Sequence, residues 1–96
     1  MDTLEWLQEW YHKWCDGSWE HLYKNVAIES LDNPGWFVQI NLIDTNLESK
    51  PFKKTIIERT DLDWLHCFVE EQTFKGAGGP HNLKEILEVF RKWANS

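Results

Sequence analysis

Polar and apolar positions follow two different periods along this chain, a helical one at both ends and a strand-like one between them. The first pattern predicts an amphipathic helix over residues 3–15. Its core-facing side is predicted to hold Leu4, Leu7, Tyr11, Trp14 and Cys15. Trp6 and Trp10 fall on the flank of that side, where they would pack on the last helix. Asp2 and Glu5 have the spacing of a capping box at the start of this helix.

A second amphipathic helix is predicted over residues 83–94. Its apolar stripe consists of Leu83, Ile86, Leu87, Phe90, Trp93 and Ala94. Asn82 and Glu85 have the spacing to cap its first turn. Each end of the chain is therefore predicted to be a helix with one apolar face.

Between the helices the apolar residues recur at every second position. Strands are predicted at NVAIESL, WFVQINL, KKTIIER and WLHCFVE, and a short fifth strand at TFKG. Pro34 and Gly35 predict a tight turn between the first two strands, with a positive φ at the glycine. Trp36 and Trp64 follow the apolar periods of their strands and are assigned to the core. We expect an α+β fold, with an antiparallel sheet of four to five strands and both helices packed on one face.

The length and composition favour one small domain spanning residues 1–96. The sequence has no apolar run of roughly 18 residues that could cross a membrane. Its opening residues lack the basic and apolar regions of a secretion signal, which predicts a cytoplasmic protein. In that compartment, Cys15 and Cys67 are expected to be free thiols.

The negative charge of the chain lies in its first half. Residues 1–50 contain nine acidic and three basic side chains, whereas residues 51–96 contain seven of each. An acidic surface repels nucleic acid and anionic lipid, and it attracts basic partners. The distribution therefore argues against nucleic-acid and membrane partners, although a solvated, solubilising surface is its commonest meaning.

The residue patterns give little support for catalysis. Cys15 is predicted to end a helix, where the dipole opposes a thiolate, and Cys67 lies within a strand next to a histidine that points to the opposite face. The histidines and cysteines lack established metal-site spacings. The segment GAGGP lacks the residues of a nucleotide-binding loop, which favours a turn that needs positive φ. We therefore predict a protein without enzymatic activity, metal or cofactor.

Four longer strings carry a family resemblance. LEWLQEWYHKWCDGSWEHLY, ESLDNPGWFVQINL, DWLHCFVEEQTFKGAGGP and NLKEILEVFRKW together resemble the immunity protein 53 family of bacterial polymorphic toxin systems. The resemblance covers nearly the whole chain. It implies a cytoplasmic binding protein that neutralises a cognate toxin domain, with no catalytic role of its own.

The acidic first half then supplies the predicted toxin-binding surface. The candidate contact residues are Asp16, Trp19, Glu20, Asp32, Asp44 and Glu48. If the toxin is a nuclease, such a surface would occupy its basic active site as a substrate mimic. Trp19 fits two roles, a plug at the edge of the core or an interface anchor. The alternative functions are a self-associating adaptor that forms a homodimer and, with less support, a small thiol enzyme.

Overall fold

Helices lie at both ends of the chain and strands lie between them, as the residue pattern predicts. The computed structural model describes residues 1–22 and 24–96. Its elements are α1 (Thr3–Trp14), α2 (Trp19–Leu22), β1 (Val26–Leu31), β2 (Gly35–Asn41), β3 (Thr55–Thr60), β4 (Asp63–Glu70), β5 (Thr73–Gly78) and α3 (Leu83–Ala94). The predicted α+β class, the two long helices and the strands are confirmed; the short helix α2 was not predicted.

The five strands form one antiparallel sheet in the order β1-β2-β5-β4-β3. The fifth strand, which the sequence marks only weakly, lies at the centre of this sheet between β2 and β4. The strand pairs β1–β2, β3–β4 and β4–β5 are hairpins between neighbours in the chain. The β2–β5 pair joins the two hairpin groups and makes the sheet continuous.

Helix α1 has the predicted capping box, but its buried face differs from the prediction. Glu5 N–H donates to the Asp2 side chain at 2.8 Å. Leu7 and Trp10 are buried, whereas Leu4 is 60% exposed. The cause is helix α3, because Trp6 and Trp10 both make edge-to-face contacts with Phe90. The predicted flank therefore faces the core, and the contact with the last helix is confirmed.

The core lies between the sheet and the two long helices. Its fully buried members from strands and helix α3 are Val38, Ile40, Leu65, Cys67, Phe74, Ile86 and Phe90. The segment between β2 and β3 adds Leu42 and Leu47, both completely buried. Lys50 in the same segment donates to the carbonyl oxygens of Trp93 and Ser96, at 2.8 Å each. A cation at these carbonyl groups stabilises the end of α3, where the helix dipole is negative.

The two predictions of a positive φ, at Gly35 and in the GAGGP segment, were wrong. The glycines at these positions are needed because neighbouring atoms pack too closely to leave room for a side chain. The φ angle of Gly35 lies outside the left-handed region, and a Cβ atom there would collide with the carbonyl oxygen of Gly78. In the GAGGP segment, a Cβ at Gly76 would collide with Ile86 of α3. These glycines allow β2 to approach β5 and α3 to lie directly on the sheet.

The prediction that the Asn82 side chain caps α3 was wrong. This side chain instead joins the sheet to the start of α3. Its Oδ1 accepts a hydrogen bond from the backbone N–H of Trp64 at 3.3 Å. Its Nδ2 donates to the carboxylates of Asp63 at 2.9 Å and Glu85 at 3.1 Å. Arg59 closes this network with hydrogen bonds to the same two carboxylates. Strands β3 and β4 and the start of α3 are thereby held together.

Candidate functional site

The structure separates the acidic residues that the sequence singles out. Asp32 lies in the turn that leads into β2, whereas Asp44 and Glu48 follow the other end of that strand. A strand of this length extends about 20 Å. Asp32 and the pair Asp44 and Glu48 therefore lie at opposite ends of the sheet, and the six residues do not form one compact patch.

Asp16 and Glu20 hold the connection between α1 and α2 in place. The Asp16 carboxylate accepts hydrogen bonds from the backbone N–H groups of Ser18 at 2.9 Å and Trp19 at 3.0 Å. The Glu20 carboxylate accepts from those of Asp16 at 3.0 Å and Gly17 at 2.8 Å. The bond from Trp19 contributes most to lowering the pKa of Asp16, and the Glu20 pKa is also lowered by backbone donors. Both carboxylates therefore have a local structural role.

Trp19 is a core residue in the free protein. Its side chain is only 1% exposed, and its ring lies 6.1 Å from that of Trp10 and 5.7 Å from that of Tyr11, centroid to centroid. Of the two roles that the sequence left open, the structure shows the plug. The indole reaches the core because the Asp16 carboxylate fixes the turn directly before it.

The sheet side opposite the helices is a surface that the sequence did not single out. We call it the open face. By strand register its aromatic and larger apolar members, with Ala77 among them, are Leu31, Phe37, Ile56, Trp64, His66, Phe68 and Ala77, and the polar side chains of Gln39 and Lys75 lie on the same face. Trp64 was predicted to lie in the core, which was wrong. The buried face of β4 is formed by Leu65 and Cys67, both fully buried, and Trp64 alternates with them.

One row of residues crosses the middle of the open face. In order across the five strands it consists of Glu29, Phe37, Ala77, His66 and Ile56. Ile56 at one edge is 51% exposed, and Phe37 is half-buried. The ring of Trp64 lies 5.2 Å from that of His66, nearly edge to face. This row and the adjacent Trp64 are therefore mainly aromatic and aliphatic, whereas the next row across β2, β5 and β4 holds Gln39, Lys75 and Phe68.

Charged side chains lie beside this apolar row, on the central strand and on both edge strands. Lys75 is paired with Glu70 at 3.0 Å, so their charges offset each other. Glu58 lies 3.6 Å from His66 on one edge strand, and Glu29 lies on the other edge strand. Among the described residues, neither glutamate has a lysine or arginine partner. The open face thus has a negative charge at each lateral edge.

A signal for this surface was present in the sequence. In WLHCFVE, Trp64, His66 and Phe68 alternate with Leu65, Cys67 and Val69. Apart from the final glutamate, both faces of this strand are therefore apolar or aromatic. A strand with two apolar faces normally lies between two layers, yet the predicted helices cover only one side of the sheet. The combination indicates an apolar sheet face that the predicted helices leave uncovered.

The two thiols are free and differ in environment. Cys67 is fully buried, and burial raises the pKa of its thiol to about 12. Cys15 is partly exposed at the end of α1, where its Sγ lies 3.3 Å from the carbonyl oxygen of Tyr11. Within residues 1–22 and 24–96, no group of three or more acidic, histidine or cysteine side chains could hold a metal ion.

The described helices are too short or too polar to cross a bilayer. Contiguous apolar patches on a protein surface are uncommon and are found at sites of contact with other molecules.

The chain belongs to the immunity protein 53 family, whose family model matches residues 4–95. The predicted family is thereby confirmed over nearly the whole chain. A family of immunity proteins indicates a toxin-neutralising role and a toxin protein as the partner, and it is in general a non-enzymatic class. Comparisons with curated proteins and with solved structures gave no significant match.

Proposed function

We propose that this protein binds a cognate toxin domain of a polymorphic toxin system in the cytoplasm and neutralises it without catalysis. The observation that carries this proposal is the family match over residues 4–95. The surface chemistry supports it, because the formal net charge of −6 favours a basic partner. A nuclease toxin would offer such a partner, since its phosphate-binding site is basic.

Four of the predicted contact residues are acidic side chains near one end of the sheet. Asn25 connects the segment of Asp16 and Glu20 to this end, because its Nδ2 donates to the Trp19 carbonyl and its own carbonyl accepts from Asn41. Asp44 and Glu48 lie in the segment that begins after Asn41, at the end of β2. We propose that this acidic end attracts the toxin, with Asp32 adding charge at the far end and Trp19 supporting the surface from within the core.

The proposal is tested by co-purifying this protein with the C-terminal domain encoded immediately upstream of its gene. We expect a complex whose affinity falls as salt concentration rises, and relief of the toxicity of that domain when both are expressed together. An upstream domain that is toxic but neither binds this protein nor is neutralised by it would contradict the proposal.

A further inference from the structure

We propose that the open face is the surface on which the toxin docks, and that the toxin presents an apolar patch flanked by lysine or arginine side chains. This inference rests on the proposed function and names the chemistry of its partner. It places the main contact on strands β2 to β5, whereas the sequence pointed to acidic connections.

The first argument is the apolar character of an uncovered sheet face. In an antiparallel sheet, the side without a covering layer is normally polar. Here it holds the half-buried aromatic side chains of Phe37, Trp64 and Phe68 and the exposed side chain of Ile56. Aromatic groups on a rigid element lose little conformational freedom on binding, so they are effective anchors at the centre of an interface.

The second argument is size. Five strands about 4.8 Å apart, each roughly six residues long, present a face of about 20 by 20 Å. A stable protein–protein interface buries about 800 Å² on each partner, so this face supplies its centre and the surroundings must supply the rest. Glu48 is placed to do so, because it accepts a hydrogen bond from Gln72 in the turn between β4 and β5.

The third argument is charge. Glu29 and Glu58 lie on the two outer strands of the open face, and the lysine of its central strand is already paired with Glu70. A partner with basic groups on either side of an apolar centre would match this arrangement. A second copy of this chain would instead bring its own glutamates, and in that pairing the like charges would repel unless the two copies were offset.

Two isoleucines on opposite edge strands allow a matched test. Ile56 in β3 lies on the open face and is 51% exposed, whereas Ile28 in β1 lies on the helix side and is 41% exposed. Each is changed to lysine in the full chain, and binding to the upstream-encoded C-terminal domain is measured by calorimetry. Both sites are exposed at sheet edges, where lysine is well tolerated, so we expect both variants to fold.

We expect Ile56→Lys to weaken the complex at least about tenfold and Ile28→Lys to change the affinity less than about threefold. Equal affinity of wild type and Ile56→Lys would overturn the docking surface while leaving the proposed function intact. No binding by the wild-type protein would overturn both. A wild-type dimer in sedimentation that Ile56→Lys dissociates, with unchanged toxin binding, would assign the face to self-association instead.

Discussion

At the scale of single residues, burial separates side chains that the sequence makes look alike. Trp19 is 1% exposed and packs in the core, while Trp64 stands half-buried on the open face. Each has an acidic neighbour in the sequence, Glu20 after Trp19 and Asp63 before Trp64, so local composition does not distinguish them. The difference arises from a fixed turn in one case and from strand register in the other.

Replacing Trp19 by alanine should destabilise the protein strongly. The change removes a buried indole that contacts Trp10 and Tyr11, and we expect the free energy of unfolding to fall by about 3–5 kcal/mol. Urea denaturation followed by circular dichroism measures this loss. Leu4→Ala is the control, because Leu4 on helix α1 is 60% exposed, and it should change stability by about 0.5 kcal/mol or less. A small loss for Trp19→Ala would argue against its place in the core.

The two cysteines should differ in their reaction with iodoacetamide. Cys67 is buried and its pKa is raised to about 12, so at pH 8 it is protonated as well as inaccessible. We expect native protein to be labelled at Cys15 first, and both thiols to be labelled in denaturant. Mass spectrometry of timed samples identifies the modified residue. Rapid modification of native Cys67 would revive the thiol-enzyme alternative.

At the scale of elements, the contacts around Asn82 couple α3 to the sheet. Asn82→Ala removes the acceptor of the Trp64 N–H and a donor to Asp63 and Glu85. We expect the free energy of unfolding at pH 7 to fall by about 1–3 kcal/mol, because a partly buried N–H group loses its partner. Asn46→Ala, at an exposed asparagine, should leave stability nearly unchanged.

Part of the stability that Asn82→Ala removes should depend on pH. The Asn82 amide contributes most to lowering the pKa of Asp63, and Arg59 contributes most to lowering that of Glu85. A lowered folded-state pKa adds stability above the unfolded values of 3.8 and 4.5, and this stability is lost as pH falls through the folded values. The difference between wild type and Asn82→Ala should therefore shrink in acid. A difference that stays constant down to pH 2 would show that the carboxylates do not contribute.

The helices were predictable from sequence because their signals are local. The capping box at Asp2 and the apolar stripe of α3 lie within single elements, and the structure shows both. The sheet order was not predictable, since the β2–β5 pair joins segments more than thirty residues apart. The buried face of α1 was misjudged for the same reason, because its contact with Phe90 depends on a distant element.

The candidate site was also predictable only where its signals are local in the sequence. The acidic residues could be read from charge, but the sequence could not place Asp32 at the opposite end of the sheet from Asp44. The open face required the register of five strands, which brings Phe37, Ala77 and His66 into one row. The one indication of the open face in the sequence was that β4 has apolar or aromatic residues on both of its faces.

At the scale of the whole molecule, the fold has two layers and one uncovered side. Helices α1 and α3 pack on each other, and α3 lies on β4 and β5. The helices cover one side of the sheet, and no helix or strand of residues 1–22 and 24–96 covers the other. The negative net charge then acts at long range, while the open face provides the short-range contact that we propose.

Reversing one edge charge of the open face should slow toxin association more than reversing a charge on the helix side. Glu29→Lys changes the open face beside Phe37, and Glu9→Lys changes the exposed side of α1, yet both alter the net charge equally. If the partner is basic, we expect Glu29→Lys to reduce the association rate severalfold and to flatten its dependence on salt. Stopped-flow mixing with the upstream-encoded domain at several salt concentrations measures both quantities. Equal rates for the two variants would mean that total charge, and not its position on the open face, attracts the toxin.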